Sequence, residues 1–479
     1  MKKTKGNKTA RIISALLATV LLGASCFTVA AASVGTKYAY KMLTDEDALH
    51  TSGTKLINKK GEEVRLRGVN LGGWLIQEDW FCPTSNNQSG DWITMKTLTE
   101  RFGVEKTYEL FDSYQDNWIT EVDFKNLADM GYNCVRIPFW YRNFQTDDNG
   151  TWRLDENGNV DLSRLEWAVE MCRKYGIYAI LDFHGANGGQ GYVDHCGRAN
   201  YYHFFDIGSK GEWYRSQACE IWSIIAERFK GDPAIAMFDL LNEPTCNEPN
   251  LASIRQEKYC AFYDDAYKAV REKDPTRIVS MIGVWTANEL PKPSSKGWTG
   301  VVYQLHFYDP TKQYFDEGSA KFLKHNVPVL AGEFHPMTKR GITACSMEEC
   351  IDAFEGNGVN WTAWTYKGMC SWAEGADWFI YASNNGSCTI DAEHDSFETL
   401  MAKWGSKLRT DSGLFKSSSL YNGTKKYLSK APLDSAPMNT QADVEKANEP
   451  LNVIYDFIKS ILAKISEFFK SIKNVLVTD

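Results

Sequence analysis

The sequence predicts an α/β fold, a (β/α)8 TIM barrel with a C-terminal linker and one amphipathic helix appended, and three observations carry that prediction. From about Lys55, short apolar runs rich in β-branched residues recur, separated by longer stretches of helical periodicity. Eight such runs can be counted, and several end on polar or acidic side chains, as barrel strands do on the face that carries chemistry. At 479 residues and 43% hydrophobic, the chain can fill one large core without requiring a second domain.

The strands follow in order. "VRLRGVNL" ends near Asn70, "YNCVRIPF" near Pro138, "IYAILDFHG" near His184 and "IAMFDLLNEP" near Glu243, the strand itself stopping at Asn242. "RIVSMIG" ends near Gly283, "VVYQLHFY" near Tyr308, "VPVLAGEF" near Glu333 and "VNWTAWTY" near Tyr366. Between them, "RQEKYCAFYDDAYKAVREKDP" places Tyr259, Phe262, Tyr263, Ala266 and Val270 on one helical face before Pro275 ends the run. "LSRLEWAVEMCRKYG" and "EWYRSQACEIWSIIAERFKGDP" behave likewise. Ahead of the first strand, "KLINKKGEEVRLRG" reads as a hairpin turning at Lys60-Gly61 that closes the bottom of the barrel.

The ends of the chain read differently. Residues 1–32 form a secretory signal: five basic groups in "MKKTKGNKTAR", an apolar stretch too short to span a membrane, then "VAAAS". A second reading makes Cys26 the lipid-modified residue of a lipoprotein, against which Gly23 stands where a large aliphatic is usual. The barrel then occupies 38–430, a polar segment with Pro432, Pro437 and Pro450 is the linker over 431–450, and 451–477 is the amphipathic helix. Its lysines and apolar stripe suit a membrane surface, a partner helix or the barrel itself.

Composition narrows the function classes. A net charge of −8 with no basic block outside the extreme N-terminus leaves a nucleic-acid partner without an electrostatic footprint. Twelve cysteines, less Cys26, leave an odd eleven with no C-x-x-C spacing, which fits small buried thiols better than a zinc site or a disulfide framework, with a bridge near Cys345 and Cys350 left open. Sixteen Trp in a chain that is 13% aromatic suit flat apolar ligand faces such as sugar rings.

The chemistry is carried by two glutamates. "FDLLNEPT" delivers Glu243 to the rim behind Asn242, with Pro244 stopping the strand, and "VPVLAGEFH" delivers Glu333 to the same rim three strands round. A lone rim carboxylate more often caps a helix or pairs with an arginine, but two in matching contexts are what glycoside hydrolysis needs. Arg136 of "VRIP" is placed to hydrogen-bond Glu333 and favour its charged form, unless it is a structural ion pair alone. His184, His306 and Tyr308 sit at strand ends where they can orient carboxylates or meet sugar hydroxyls, Asn242 can bond a 2-hydroxyl, and Trp364 offers a platform. Each also has an ordinary packing role open to it.

In their order and at strand ends, "LRGVNLGGWL", "VRIPFWY", "DFHGANGGQ", "LNEP", "HFY", "GEF" and "WTYKG" resemble glycoside hydrolase family 5 from about Lys55 to Leu428, and its glucan β-glucosidases in particular. The resemblance implies a retaining (β/α)8 β-glycosidase with Glu243 as general acid/base, its pKa raised, and Glu333 as nucleophile. Arg136, His184, Asn242, His306, Tyr308 and Trp364 become their supporting residues, with no metal and no cofactor. The chain departs from fungal exo-glucanases of that subgroup in "HGANGGQGYVDHCG", where "HGAPGSQNG" is usual, so the loop of Asp194 and His195 differs. An insert, "KGMCSWAEGADWFIYASNNGSC", adds Trp372, Trp378, Phe379 and Tyr381 as a pocket wall or as a lid without sugar contact. The expected activity is cleavage of β-glucan or β-glucoside bonds of the glucan 1,3-β-glucosidase type. A β-1,4-glucan or mannan endohydrolase, a transglycosylase and a non-catalytic surface carbohydrate-binding protein are the rivals.

Overall fold

The computed structural model describes residues 40–84, 90–245, 252–284 and 289–429. The signal expected over 1–32, the linker over 431–450 and the helix over 451–477 lie outside the described residues. Eight parallel strands close into a barrel: β1 (Arg67–Asn70), β2 (Cys134–Trp140), β3 (Tyr178–Gly185), β4 (Ile235–Asp239), β5 (Val279–Ile282), β6 (Val301–Tyr308), β7 (Val329–His335) and β8 (Asn360–Ala363). They neighbour one another in chain order, and β8 pairs back onto β1. Every residue of β2 and β3 is buried, because helices cover the outer face and side chains fill the inner one.

Three helices follow β1, namely α1 (Asp91–Phe102), α2 (Val104–Trp118) and α3 (Glu121–Met130). Then α4 (Ser163–Tyr175) follows β2, α5 (Ser209–Arg228) β3, α6 (Ala252–Lys273) β4, α7 (Lys312–Leu323) β6 and α8 (Met347–Gly356) β7. Between β5 and β6 the described residues hold only the short turn Pro293–Ser295, so the alternation read from the sequence is not met at that step. On α6 the face read from the sequence is the buried one, Tyr259, Phe262, Tyr263, Ala266 and Val270 each being at most 1% exposed.

The floor of the barrel is apolar. Leu66, Cys134, Ile180, Met237, Ile278, Val302 and Leu330 form one cluster with Leu56, which comes from the expected hairpin. There the chain turns through Gly61 at φ +83°, and Val64 donates its amide to the Leu56 carbonyl at 2.9 Å. Above this floor the interior becomes polar, which is where the strands begin to serve chemistry.

Candidate active site

Two irregularities at strand ends build the site. The first corrects the expectation that the fourth strand runs to Asn242: β4 stops at Asp239. Beyond it the Leu240 amide still reaches Ser280 O at 3.1 Å, but the Asn242 amide crosses to Phe183 O at 2.9 Å, and Pro244 has no amide to offer. In a regular strand successive side chains point to opposite faces. Here Asn242 and Glu243 line the same cavity, and Glu243 takes φ +34°, a left-handed value that non-glycine residues rarely adopt.

The second irregularity is a bulge in β7. Leu305 pairs with Ala331 but His306 with Glu333, so Gly332 is an extra residue. Gly332 itself faces inward, where a Cβ would stand 1.9 Å from Gln304 Oε1. Glu333, which strict alternation after Leu330 would send outward, is thereby turned into the barrel.

Arg136, fully buried, organises what lies beneath. It makes ion pairs with Asp182 at 2.9 Å, Asp239 at 2.9 Å and Glu333 at 2.7 Å, and donates to Asn70 Oδ1 at 3.0 Å and Asn242 Oδ1 at 2.8 Å. It therefore serves both as a structural ion pair and as a donor to Glu333. The Tyr308 hydroxyl donates to the other Glu333 oxygen, Oε2, at 2.8 Å. His306 Nδ1 stands between the two acids, 2.6 Å from Glu243 Oε1 and 3.4 Å from Glu333 Oε2. His184 Nδ1 pairs with Asp182 Oδ2 at 2.7 Å, and its ring lies nearly parallel to Trp364, centroids 5.6 Å apart. Gly72 makes room for that indole, since a Cβ there would stand 3.1 Å from Trp364 Cζ2.

One guanidinium cannot balance three carboxylates in a dry interior. Burial pushes Asp182 up to about 7, against the pull of Arg136, and Asp239 up to about 6. Burial also holds His184 down at about 3, in its neutral form. Glu243 departs from the raised value expected of it. Burial raises its carboxyl, but the hydrogen bond from His306 and the charges of His195 and His306 outweigh that and hold it well below the usual range. His306 is raised in turn: burial opposes its charge, and Glu333 and Glu243 favour it. Glu243, His306 and Glu333 bring three potential ligand atoms within 4.8 Å of one another, the one such group among the described residues that is spaced to hold a metal ion.

The cavity over these groups measures about 300 Å³. All eight side chains singled out from the sequence converge on it or directly beneath it. Its walls include four side chains not assigned a role from the sequence, Glu78, Trp80, His195 and Met337, together with Trp378 of the insert. Trp378, from the insert, stacks on His335 at 3.6 Å, and Trp372 stacks on Trp80 at 5.7 Å. Phe379 is buried against Phe81 and Tyr381 packs on Tyr366, so the insert is part wall and part ordinary packing. Glu78 bonds the Trp80 indole at 2.6 Å, and burial pushes it up to about 8. No periodicity marks Glu78 or Trp80, which lie on the loop after β1, whereas Asp182 and Asp239 were detectable as charges inside otherwise apolar strands. The described cysteines are free thiols, Cys345 and Cys350 included, with Sγ atoms 3.4 Å apart.

Two carboxyls facing one sugar-sized cavity are the constellation that glycosidases, hydrolases of O-glycosyl bonds, use. The sequence profile described as Cellulase (glycosyl hydrolase family 5) matches residues 57–369, and the chain belongs to glycosyl hydrolase family 5. Among its relatives, a β-xylosidase of Phanerodontia chrysosporium is 28% identical over 356 residues, 67% of this chain and 70% of the relative. A glucan 1,3-β-glucosidase of Candida oleophila is 29% identical over 276 residues, covering 54% of this chain and 60% of that protein. A probable glucan 1,3-β-glucosidase A of Emericella nidulans is 30% identical over 253 residues, 51% and 57% of the two chains. The match thus spans less than two thirds of either glucosidase. The solved structure of an endogalactoceramidase superposes with a TM-score of 0.52 at 16% identity, covering 74% of this chain and 84% of that one, a likeness of fold alone.

Proposed function

We propose that this chain is a retaining β-glycosidase acting on β-glucans or β-glucosides, with Glu243 as general acid/base and Glu333 as nucleophile. The observation that carries the reading is the spacing of the acids: carboxylate oxygens of Glu243 and Glu333 lie within 4.8 Å. Retaining enzymes hold their carboxyls about 5 to 5.5 Å apart, while inverting ones need about 6.5 to 9.5 Å for an intervening water. In the first step Glu333, aimed by Arg136 and Tyr308, attacks the anomeric carbon while Glu243 protonates the departing oxygen. In the second, Glu243 takes a proton from water as it displaces Glu333. Asn242, fixed through Oδ1 by Arg136, gives one Nδ2 hydrogen to His184 Nε2 at 3.4 Å and keeps the other for the sugar's 2-hydroxyl, and Trp364 supplies a flat floor.

The cavity's modest size and its Trp80 and Trp378 walls favour attack on a terminal sugar of a short glucan or glucoside over internal cleavage of a long chain. The names of the relatives, a β-xylosidase and glucan 1,3-β-glucosidases, support the same choice. With the signal read from residues 1–32, the enzyme works outside the cytoplasm.

The test is hydrolysis of an aryl β-glucoside and of laminari-, cello- and gentio-oligosaccharides by wild type, Glu243→Ala and Glu333→Ala, with azide added. Both variants are expected to lose about 10³-fold or more in kcat on natural linkages. Azide should rescue Glu333→Ala as the inverted glycosyl azide and Glu243→Ala as the retained one. Wild-type rates in either variant would remove that residue from the mechanism.

A further inference from the structure

The loop from Gln190 to Asn200 leaves the end of β3 and folds over the end of β4. It is tied there by two bonds: the Gln190 side chain donates to the Asn242 carbonyl at 3.0 Å, and the Thr245 amide donates to the Gln190 carbonyl at 3.1 Å. Its far side is held by the Trp92 amide, which donates to the Gly197 carbonyl at 2.9 Å. His195 rides on a short turn of this loop, Asp194–Cys196, and lines the cavity. Its Nε2 is buried, has no hydrogen-bond partner, and stands 3.2 Å from Glu243 Oε2. With His306 Nδ1 on the opposite oxygen, Glu243 has an imidazole at each end of its carboxylate.

We propose that His195 is a positioning residue for the acid/base, storing on Nε2 the proton that Glu243 delivers to the departing sugar oxygen and taking it back when water attacks. The inference rests on the acid/base role proposed for Glu243. In the first step the Nε2–H bond of the imidazolium breaks as Oε2–H forms on Glu243. That bond then breaks as the leaving alcohol gains its O–H, the glycosidic C–O bond breaks, and Glu333 bonds the anomeric carbon. In the second step water loses a proton to Glu243, which returns it to His195 as the C–O bond to Glu333 is replaced. Imidazolium with carboxylate, and imidazole with carboxylic acid, hold the same number of protons, so the pair titrates as one unit.

The surroundings favour a proton on this pair. Burial opposes a charged His195, but the Cys196 thiol, Glu243 and Glu78 face it and raise it well above the usual histidine range. His184 lies 6.1 Å away, and Asp79 of the loop after β1 is raised to about 6 by burial and by its neighbour Asp194 on the same turn. The pair therefore retains its proton to higher pH than a carboxyl alone, and the basic limb of the activity profile belongs to the pair.

The experiment compares wild type with His195→Asn, His195→Gln and His195→Ala on aryl β-glucosides of graded leaving-group acidity, across pH, with thermal unfolding to verify the fold. In the variants kcat/KM should fall about tenfold or more for poorly acidic leaving groups and change by less than about threefold for the 2,4-dinitrophenyl glucoside, whose departure needs no proton. The basic limb should move down by about one pH unit or more, and added imidazole should restore it in His195→Ala. An equal loss for every leaving group with an unmoved limb overturns the proposal and leaves His195 a structural residue of the loop. Glu243→Ala, run beside them, separates the two readings. If it too cleaves poor leaving groups at the wild-type rate, the acid/base assignment falls and this inference with it. If it fails while His195→Asn tracks wild type, this inference alone falls.

Discussion

At the scale of single residues, Arg136 has the largest consequences. It is the cation shared by Asp182, Asp239 and Glu333, and it also fixes the amide of Asn242. Removing one partner of a buried ion pair costs about 3 to 5 kcal/mol, because the charge left behind is uncompensated. Arg136→Met is therefore expected to lower unfolding stability by that amount in urea titrations and to abolish activity. Arg136→Lys should recover part of the stability but little activity, since an ammonium cannot reproduce the guanidinium fork. Unchanged stability in Arg136→Met would mean that the three acids are neutral without it. Arg136 was legible because a lone arginine in an apolar strand demands a partner. His195 was visible only as part of an unusual loop, and Glu78 not at all, since a loop residue's direction depends on tertiary contacts that no local pattern encodes.

At the scale of elements, the active groups lie where regular strands fail. Strand existence was readable from apolar runs between turn signals, and β6 has the bounds its sequence announces. The end of β4 was not, because nothing in "DLLNEP" marks a left-handed glutamate, and only that backbone lets Asn242 and Glu243 face one cavity. The bulge in β7 is also invisible to a two-residue period, although its glycine is a hint. Gly332→Ala would drive a methyl into Gln304, which donates to Asp239. Glu333 would then shift with the strand, and displacement of a group in the nucleophile's role proposed for it by about 1 Å costs about 10²-fold. We expect kcat to fall by that order with the fold retained, as judged by circular dichroism, and a Gly332→Ala enzyme of wild-type rate would show that the bulge does not aim Glu333.

At the scale of the whole molecule, the polar interior makes stability depend on pH in a set direction. Burial raises Glu78 to about 8, Asp91 to about 8 and Asp182 to about 7. The folded chain thus holds protons that the unfolded chain releases near pH 4, so their stabilisation is complete in acid and is lost as pH rises through those values. His184, lowered to about 3, acts oppositely, but its contribution is complete above about pH 6.5 and adds no slope beyond it. The melting temperature should therefore fall between about pH 6.5 and about pH 8, above which Lys367, lowered to about 8 by burial, acts oppositely, and a flat or rising trend within that window by scanning calorimetry would contradict these burials.

The left-handed backbone at Glu243 reaches beyond catalysis. A glutamate held at φ +34° gives up on the order of 1 to 3 kcal/mol that glycine at the same place would keep. A domain has only about 5 to 15 kcal/mol of net stability, so that difference is visible to any selection for robustness. Laboratory evolution of this chain towards heat resistance, with turnover left unscreened, is expected to accumulate glycine at position 243 and, on the acid/base role proposed for Glu243, to yield hardier proteins that no longer act as enzymes.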